Sequence, residues 1–172
     1  MLENPRSEKI TTAALAKRLS VSEAALYRHF ASKAQMFEGL IEFIEKTLFG
    51  LVNKISEEEQ SGRKQLEAML SMLLGFAQKN PGMTRVLIGD ALVNEDERLQ
   101  TRINQLHDRL ESTLKQALRF ALTENEIDKQ TEVDAKANLL LAFVVGRWHQ
   151  YAKSGFHRDP VQYWTAQSRE LI

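Results

Sequence analysis

Apolar residues recur along most of the chain at the spacing of an α-helix. Between Lys33 and about Ser56 they follow one another in steps of one, three or four residues and so form one stripe: Phe37, Leu40, Ile41, Ile44, Leu48, Leu51, Val52 and Ile55. A second stripe, from about Glu95 to Leu122, comprises Leu99, Ile103, Leu106, Leu110 and Leu114. No segment shows the alternation of a strand, so the pattern predicts an all-α protein.

Hydroxyl side chains mark where the first helices begin, because Ser and Thr oxygens accept hydrogen bonds from a helix's first turn. They are Thr11 or Thr12 before a helix over 13–19, Ser22 before a helix over 23–30, and Ser32, followed by Gln35, before the long helix over 33–56. Only residues 20–22 separate the first two helices. This spacing predicts a helix-turn-helix in a domain over residues 1–33, which the long helix links to a larger domain over 34–172.

Polar and turn-forming residues separate the remaining predicted helices. They leave helices over 63–79, over about 95–122, over about 132–153 and after Pro160, with polar loops at 57–62 and 123–131. Between the helix over 63–79 and the helix over about 95–122, Asn80 is expected to cap a further helix that has Pro81 at its first position.

Composition narrows the class of protein. The 172 residues carry 23 basic and 23 acidic side chains, but residues 1–33 hold six basic and three acidic ones, whereas 34–172 hold 17 and 20. A positive end on a slightly negative body suits a protein that meets a polyanion with one end.

The absence of Cys excludes disulfides, zinc-thiolate sites and thiol catalysis. The longest apolar run, Leu139 to Val145, is too short to span a bilayer, which needs about 20 residues, so we expect a soluble, cytoplasmic protein.

Enzymatic and metal-binding interpretations find little support. The four histidines, His29, His107, His149 and His157, are scattered without a pair at metal-ligand spacing, and no glycine-rich phosphate loop is present. The acidic residues Asp90, Glu95, Asp96 and Glu97 are expected to form a solvated helix start. We therefore predict no enzyme, no metal and no cofactor.

The second helix of the predicted helix-turn-helix carries residues suited to a DNA major groove. Ala24 is small and Arg28 can bond a guanine edge or a phosphate, while hydroxyls at a helix start suit phosphate oxygens. Lys33, at a helix start where a cation is disfavoured, is expected to address a DNA phosphate. The predicted DNA-binding residues are Thr11, Thr12, Ser22, Glu23, Ala24, Tyr27, Arg28, His29 and Lys33. Packing by Tyr27 and a carbonyl hydrogen bond from His29 are the alternatives.

The segment 139–145 is apolar around its whole circumference, so its helix must be covered on every side. Either it faces a second subunit or it is the central core helix of a monomer. The first alternative predicts a homodimer, with an interface formed by Leu139, Phe143, Gly146 and Trp148.

The residues Val21-Ser22, Leu26-Tyr27, His29-Phe30 and Ser32-Lys33, preceded by Thr11 and Leu15-Ala16, form a pattern that closely resembles the DNA-binding region of TetR-family regulators. That family is all-helical and dimeric. Further segments, including Leu40–Glu45, Leu73–Phe76 and Asn80–Gly82, resemble nucleoid occlusion factors of the family. The resemblance implies binding to palindromic chromosomal sites and, on DNA, antagonism of the division GTPase FtsZ over the nucleoid. A ligand-responsive repressor with a cavity in 34–172, and a helical dimer that no longer binds DNA, are the alternatives.

Two positions depart from the family pattern. Ser20 occupies a turn position where the family usually has Gly, and a left-handed backbone there would cost about 1 kcal/mol. Only nine residues, interrupted by Pro5, precede Ile10, so we expect the family's first helix to be largely missing from this chain. Leu15, Leu26 and Phe30 would then be partly uncovered.

A partner surface is predicted on the larger domain. Met36 and Phe43 share a face of the long helix that the core stripe does not explain, and Gly75 lies away from the buried side of the next helix. Either Phe43 packs between these two helices or a groove between them takes a peptide. By position, the resemblance implies that Phe43, Met72, Gly75, Lys79 and Asn80 bind the C-terminal tail of FtsZ. Leu51 stands where that resemblance implies a basic residue.

Overall fold

The structure is a computed structural model that describes residues 1–3 and 11–172. Within these residues the chain is helical and contains no strand, which confirms the all-α prediction. Along the chain come α1 (Thr12–Arg18), α2 (Glu23–His29), α3 (Lys33–Glu58), α4 (Gly62–Lys79), α5 (Pro81–Leu87), a 3-10 turn (Asp90–Leu92), α6 (Glu97–Thr123), α7 (Val133–Lys153) and α8 (Trp164–Leu171).

The body of the molecule is built from the four long helices α3, α4, α6 and α7, with α6 packed against both α4 and α7. The apolar stripes of α3, α4 and α6 pack against one another and against the buried face of α7. The predicted stripe of α6 is buried along its whole length. On α3, five of the predicted stripe residues are buried, Leu40 and Ile55 are half-buried, and Leu51 is exposed.

Helix α7 has one face in this core and another outside it. Trp148 is fully buried, and its indole Nε1 donates a hydrogen bond to the carbonyl oxygen of Leu73 at 3.1 Å. The assignment of Trp148 to a dimer interface is therefore wrong, because the side chain lies within the core of its own subunit. Leu139, by contrast, is 51% exposed, and no described atom lies within 4 Å of a Cβ built on Gly146.

The junction between α3 and α4 differs from the sequence prediction. Gly62, predicted to lie in a polar loop, is the buried first residue of α4. A Cβ on Gly62 would lie 2.3 Å from the backbone nitrogen of Ala121 in α6, so the two helices approach closely there. Glu126, from the predicted loop 123–131, accepts a hydrogen bond from the backbone N–H of Arg63 at 2.9 Å. This contact joins the first turn of α4 to the loop that follows α6.

Asn80 also behaves differently from its predicted role. Its side chain does not cap α5; the amide nitrogen donates instead to the carbonyl oxygen of Phe76 at 2.8 Å. Pro81 is the first residue of α5, as predicted. Asn80 therefore closes the C-terminal end of α4 rather than the start of α5.

At the end of α1, Ser20 adopts the left-handed backbone whose cost for a non-glycine residue is given above, with φ of 56°. The N–H of Val21 bonds the carbonyl of Ala16, and the N–H of Ser20 bonds that of Lys17. These two bonds form a Schellman motif, in which the residue after the C-cap adopts a conformation that favours Gly.

The expected lack of the family's first helix falls largely on residues 4–10, which lie outside the described residues. Its predicted consequence is confirmed for Leu15 and Phe30, which are half-buried, and is wrong for Leu26, which is 7% exposed. Leu19 is more exposed still, at 59%. The surface of α1 that carries Leu15 and Leu19 is thus partly open.

Candidate nucleic-acid interface and partner groove

Helix α2 presents most of the predicted DNA-contact residues to solvent. Glu23, Ala24, Arg28 and His29 are exposed, and Tyr27 is 46% exposed. The exposure of Tyr27 and His29 leaves both available to a partner. The direct base contacts remain a prediction.

Hydroxyl groups hold the two short helices in place. Those of Thr11 and Ser22 each accept a hydrogen bond from a backbone N–H three residues later, at 3.1 Å, as predicted for caps. A hydroxyl that accepts in this way still has a hydrogen to donate to a phosphate. The hydroxyl of Thr12 instead donates to the carboxylate of Glu23 at 3.0 Å. Thr12 and Glu23, both predicted DNA contacts, thus join the start of α1 to the start of α2.

Lys33, predicted to address a phosphate, has a protein partner in this structure. Its ammonium forms an ion pair with the carboxylate of Glu95, and the two side chains are only 18% and 14% exposed. The ammonium also lies 5.7 Å from the centre of the Phe37 ring. Lys33 stands at the start of α3, which Ser32 caps by accepting from the N–H of Gln35. The phosphate contact of Lys33 remains a prediction, and in the DNA-free chain the cation is neutralised.

The acidic residues between α5 and α6 are not a merely solvated helix start, which corrects that expectation. Asp90 binds both Arg85 of α5 and Lys153 of α7. Burial alone would raise the pKa of Asp90, but hydrogen bonds from Lys153 and Arg85 outweigh it and hold this pKa below its usual value. Asp96 caps α6 and also binds the side chain of Arg98. These ion pairs fix the connection 88–96 against three helices, and sequence spacing alone gave no sign of the partners.

The predicted partner residues lie along α3 and α4. Phe43 is 54% exposed, so the alternative that it packs between the two helices is wrong. Met72 is half-buried, and no described atom lies within 4 Å of a Cβ built on Gly75, which leaves open space beside Met72. Lys79 is exposed at the end of α4, and Asn80 follows it. We call these five residues, Phe43, Met72, Gly75, Lys79 and Asn80, the α3–α4 groove; that they line one binding groove remains a prediction.

A cleft of about 470 Å³ separates α1 from the body. Its walls are largely apolar, and they include Leu15 and Leu19 of α1, Met36 and Leu40 of α3, and Met83 of α5. Lys79 and Asn80 of the α3–α4 groove also line it. The cleft lies at the boundary of the two predicted domains, not inside 34–172, where the alternative of a ligand-responsive repressor places a cavity.

Neither a membrane span nor a metal cluster is present in the described part of the chain. It contains no helix long and apolar enough to cross a membrane. Nor does it bring together three or more His, Cys, Asp or Glu residues in an arrangement that could hold a metal ion.

Two family profiles match this chain. Residues 8–40 match the profile of bacterial regulatory proteins of the tetR family, and residues 61–172 match the SlmA-like "Tetracyclin repressor-like, C-terminal domain". A nucleoid occlusion factor SlmA from Marinomonas sp. (strain MWYL1) is 48% identical over 167 residues, which are 97% of this chain and 85% of that protein. Another from Shewanella halifaxensis is 48% identical over 176 residues, covering 100% and 89%. This chain belongs to the SlmA family.

Solved structures agree with this fold. PfmR, a TetR-family transcriptional regulator from Thermus thermophilus, superposes with a TM-score of 0.77 at 21% identity, over 95% of this chain and 87% of that one. FadR from Bacillus subtilis, solved in complex with stearoyl-CoA, has a TM-score of 0.75 at 14% identity, with the same coverages. At these identities the likeness establishes the TetR-like fold alone.

Membership of the SlmA family fixes the class of function. The chain is a DNA-binding nucleoid occlusion factor with a dimeric, TetR-like architecture. Proteins of the SlmA and TetR families are regulators that bind DNA and are not enzymes. The family assignment agrees with the solvent exposure of the residues of α2 that are predicted to contact DNA.

Proposed function

We propose that this protein, as a homodimer, binds palindromic duplex sites on the chromosome and, when bound there, captures the C-terminal tail of FtsZ and so antagonises FtsZ assembly over the nucleoid. It acts in the cytoplasm in association with the nucleoid. The observation that carries the proposal is that α2 presents its predicted DNA-contact residues to solvent while Phe43 of α3, the proposed peptide anchor, is 54% exposed.

The DNA end of the proposal rests on α1 and α2. Ala24 lets the backbone of α2 approach base edges, and Arg28 supplies donors for a guanine or a phosphate. Thr11 and Ser22 add hydroxyl donors at two helix starts, which suit phosphate oxygens. Because a twofold dimer presents this helix twice, its operators are palindromic.

The outward face of α7 supports the proposal of a dimer. Leu139 is half-exposed, Phe143 is partly covered by the ring of Trp164 of α8 at 6.2 Å, and Gly146 leaves open space beside the backbone. Arg147 fixes the segment before α8 by donating to the carbonyl oxygens of Asp159 and Pro160. An apolar face of this kind, on a helix whose other face is in the core, favours association with a second copy.

The partner end rests on the α3–α4 groove. The exposed ring of Phe43 and the open space at Gly75 each suit an apolar side chain of a peptide, and Lys79 suits an acidic one. Leu51, 40% exposed on α3, is apolar and supplies no positive charge. We therefore expect peptide binding to be more apolar, and to depend less on salt, than it would be with an arginine at position 51.

The test measures binding to a labelled palindromic duplex by fluorescence anisotropy at several salt concentrations, with and without the FtsZ tail peptide. We expect a steep loss of affinity with salt, and tighter duplex binding when the peptide is present, because coupling between two sites is reciprocal. Duplex binding without any effect of the peptide would contradict the partner half of the proposal, and no salt-sensitive duplex binding would contradict the DNA half.

A matched pair of variants tests the groove. Phe43→Ala should weaken peptide binding at least tenfold and leave duplex binding unchanged, since exposed aromatic anchors dominate such contacts. Val93→Ala removes another exposed apolar side chain, 66% exposed and outside the groove, and should change neither. Equal peptide affinity for Phe43→Ala and the unaltered protein would refute the assignment of the groove.

A second candidate function is a ligand-responsive repressor that uses the 470 Å³ cleft beside α1 instead of a cavity inside 34–172, since the size and largely apolar walls of the cleft suit a small molecule. In that case a ligand in the cleft would move α1 relative to the body and release the operator. The anisotropy experiment separates the two, since only the first candidate predicts that the FtsZ peptide tightens duplex binding.

A further inference from the structure

The ion pair between Lys33 and Glu95 joins the DNA end of the molecule to the connection before α6. Lys33 is the first residue of α3, three positions after Phe30, the C-cap of α2. The amide oxygen of Gln35 accepts from the N–H of Ala31 at 2.5 Å and so fixes the short link between the helices. Glu95 lies 62 residues further along the chain.

Glu95 is held in position from both sides. Before it, Asn94 adopts a left-handed backbone with φ of 64°, and the N–H of Glu95 bonds the carbonyl of Leu92 at 3.0 Å. After it, Asp96 caps α6 by accepting from the backbone N–H of Arg98 at 3.0 Å. Because the backbone on both sides of Glu95 is held, its carboxylate can follow the Lys33 ammonium only as far as its own side chain reaches.

A DNA phosphate and the Glu95 carboxylate are both anions that suit one ammonium group. If Lys33 serves a phosphate, as the proposed function has it, the phosphate must either displace Glu95 or approach a cation that is already neutralised. In both cases the Lys33–Glu95 pair brings no net charge to the DNA, so fewer counterions leave the DNA. The affinity for DNA then depends less steeply on salt concentration than it would with an unpaired lysine.

We propose that Glu95 is a positioning residue for DNA binding: its carboxylate holds the Lys33 ammonium in the DNA-free protein, competes with a backbone phosphate for it, and thereby lowers duplex affinity. The inference rests on the proposed function, because it requires Lys33 to face DNA. It assigns to the connection 88–96, which Asp90 also ties to α5 and α7, the role of restraining the first turn of α3.

The experiment is a double-mutant cycle on the full chain: Glu95→Gln, Lys33→Met and the two together, each titrated with a palindromic duplex between about 0.05 and 0.2 M salt. Glu95→Gln should steepen the salt slope by about 0.9 per protomer, which is about a fivefold gain in affinity per protomer near 0.15 M salt. In the Lys33→Met background the same change should leave the slope as it was. Thermal melts of each variant show that it is folded.

A control variant separates this mechanism from a general gain of positive charge. Glu97→Gln removes the same charge two positions further on, from a side chain that forms no ion pair with a described residue, and should shift the slope much less. Equal slopes for Glu95→Gln and the unaltered protein would overturn the inference, as would a steepening that persists without Lys33. If the unaltered protein shows no salt-sensitive duplex binding, the proposed function itself fails.

Discussion

Two glycines in one helix should respond to the same substitution with opposite signs. Gly62 and Gly75 both belong to α4, and each is changed to Ala in turn. At Gly62 the new Cβ would lie 2.3 Å from the backbone nitrogen of Ala121 and 2.7 Å from the carbonyl oxygen of Ala117. At Gly75 no described atom lies within 4 Å of the new Cβ.

The magnitudes follow from these distances. Carbon atoms pack at about 3.5–4.0 Å, so α4 and α6 must separate by roughly 1 Å to admit a methyl group at Gly62. The obstacle is backbone rather than a flexible side chain, and overpacking of this kind costs about 1–3 kcal/mol. At Gly75 nothing opposes the gain in helix propensity from Gly to Ala, which is up to about 1 kcal/mol.

Urea and thermal unfolding measure both variants at one protein concentration, because the stability of a dimer depends on concentration. For a chain of this length about 1 kcal/mol corresponds to about 2–4 °C in Tm. We expect Gly62→Ala to lower Tm by about 2–12 °C and Gly75→Ala to raise it by at most about 2–4 °C. A Gly62→Ala protein as stable as the unaltered one would refute the close approach of α4 and α6.

Two further predictions concern a strained turn and a buried ring. Ser20→Gly relieves the left-handed backbone at φ 56° and should stabilise the protein by up to about 1 kcal/mol in urea unfolding; a loss of stability would contradict the assigned backbone. Burial lowers the pKa of His107 below its ordinary value of 6.5, although a hydrogen bond with the Leu87 backbone opposes this shift. Because the unfolded chain then binds the proton more tightly, stability should fall as pH decreases from about 6.5, and His107→Gln should show a shallower fall in unfolding measurements across that range.

Periodicity and capping residues predicted most of the fold because both act within one or two helical turns. The caps at Thr11, Ser22 and Ser32 accept the hydrogen bonds expected of them. Gly62 escaped prediction because a Gly beside a run of polar residues is typical of a loop. Its burial depends on the approach of Ala121, which lies on another helix far along the chain.

Local sequence patterns predicted the exposure of residues in the candidate site but not their long-range partners. Exposure of the α2 residues follows from the helix period, but the partner of Lys33 is 62 residues away and no spacing rule pairs it with Glu95. The apolar run on α7 indicated that every side must be covered. It did not reveal that Trp148 faces its own core while Leu139 faces outward, because that depends on the orientation of α7 against α4.

The two tryptophans lie in different parts of the body. Trp148 is sealed in the core 6.0 Å from the ring of His107, while Trp164 is half-buried next to Phe143 on the proposed subunit contact. Their fluorescence therefore reports on separate events. A red shift of emission on dilution should come from Trp164 as subunits part, whereas the signal of Trp148 should change only when the helices themselves come apart, so each indole offers an optical probe that needs no added label.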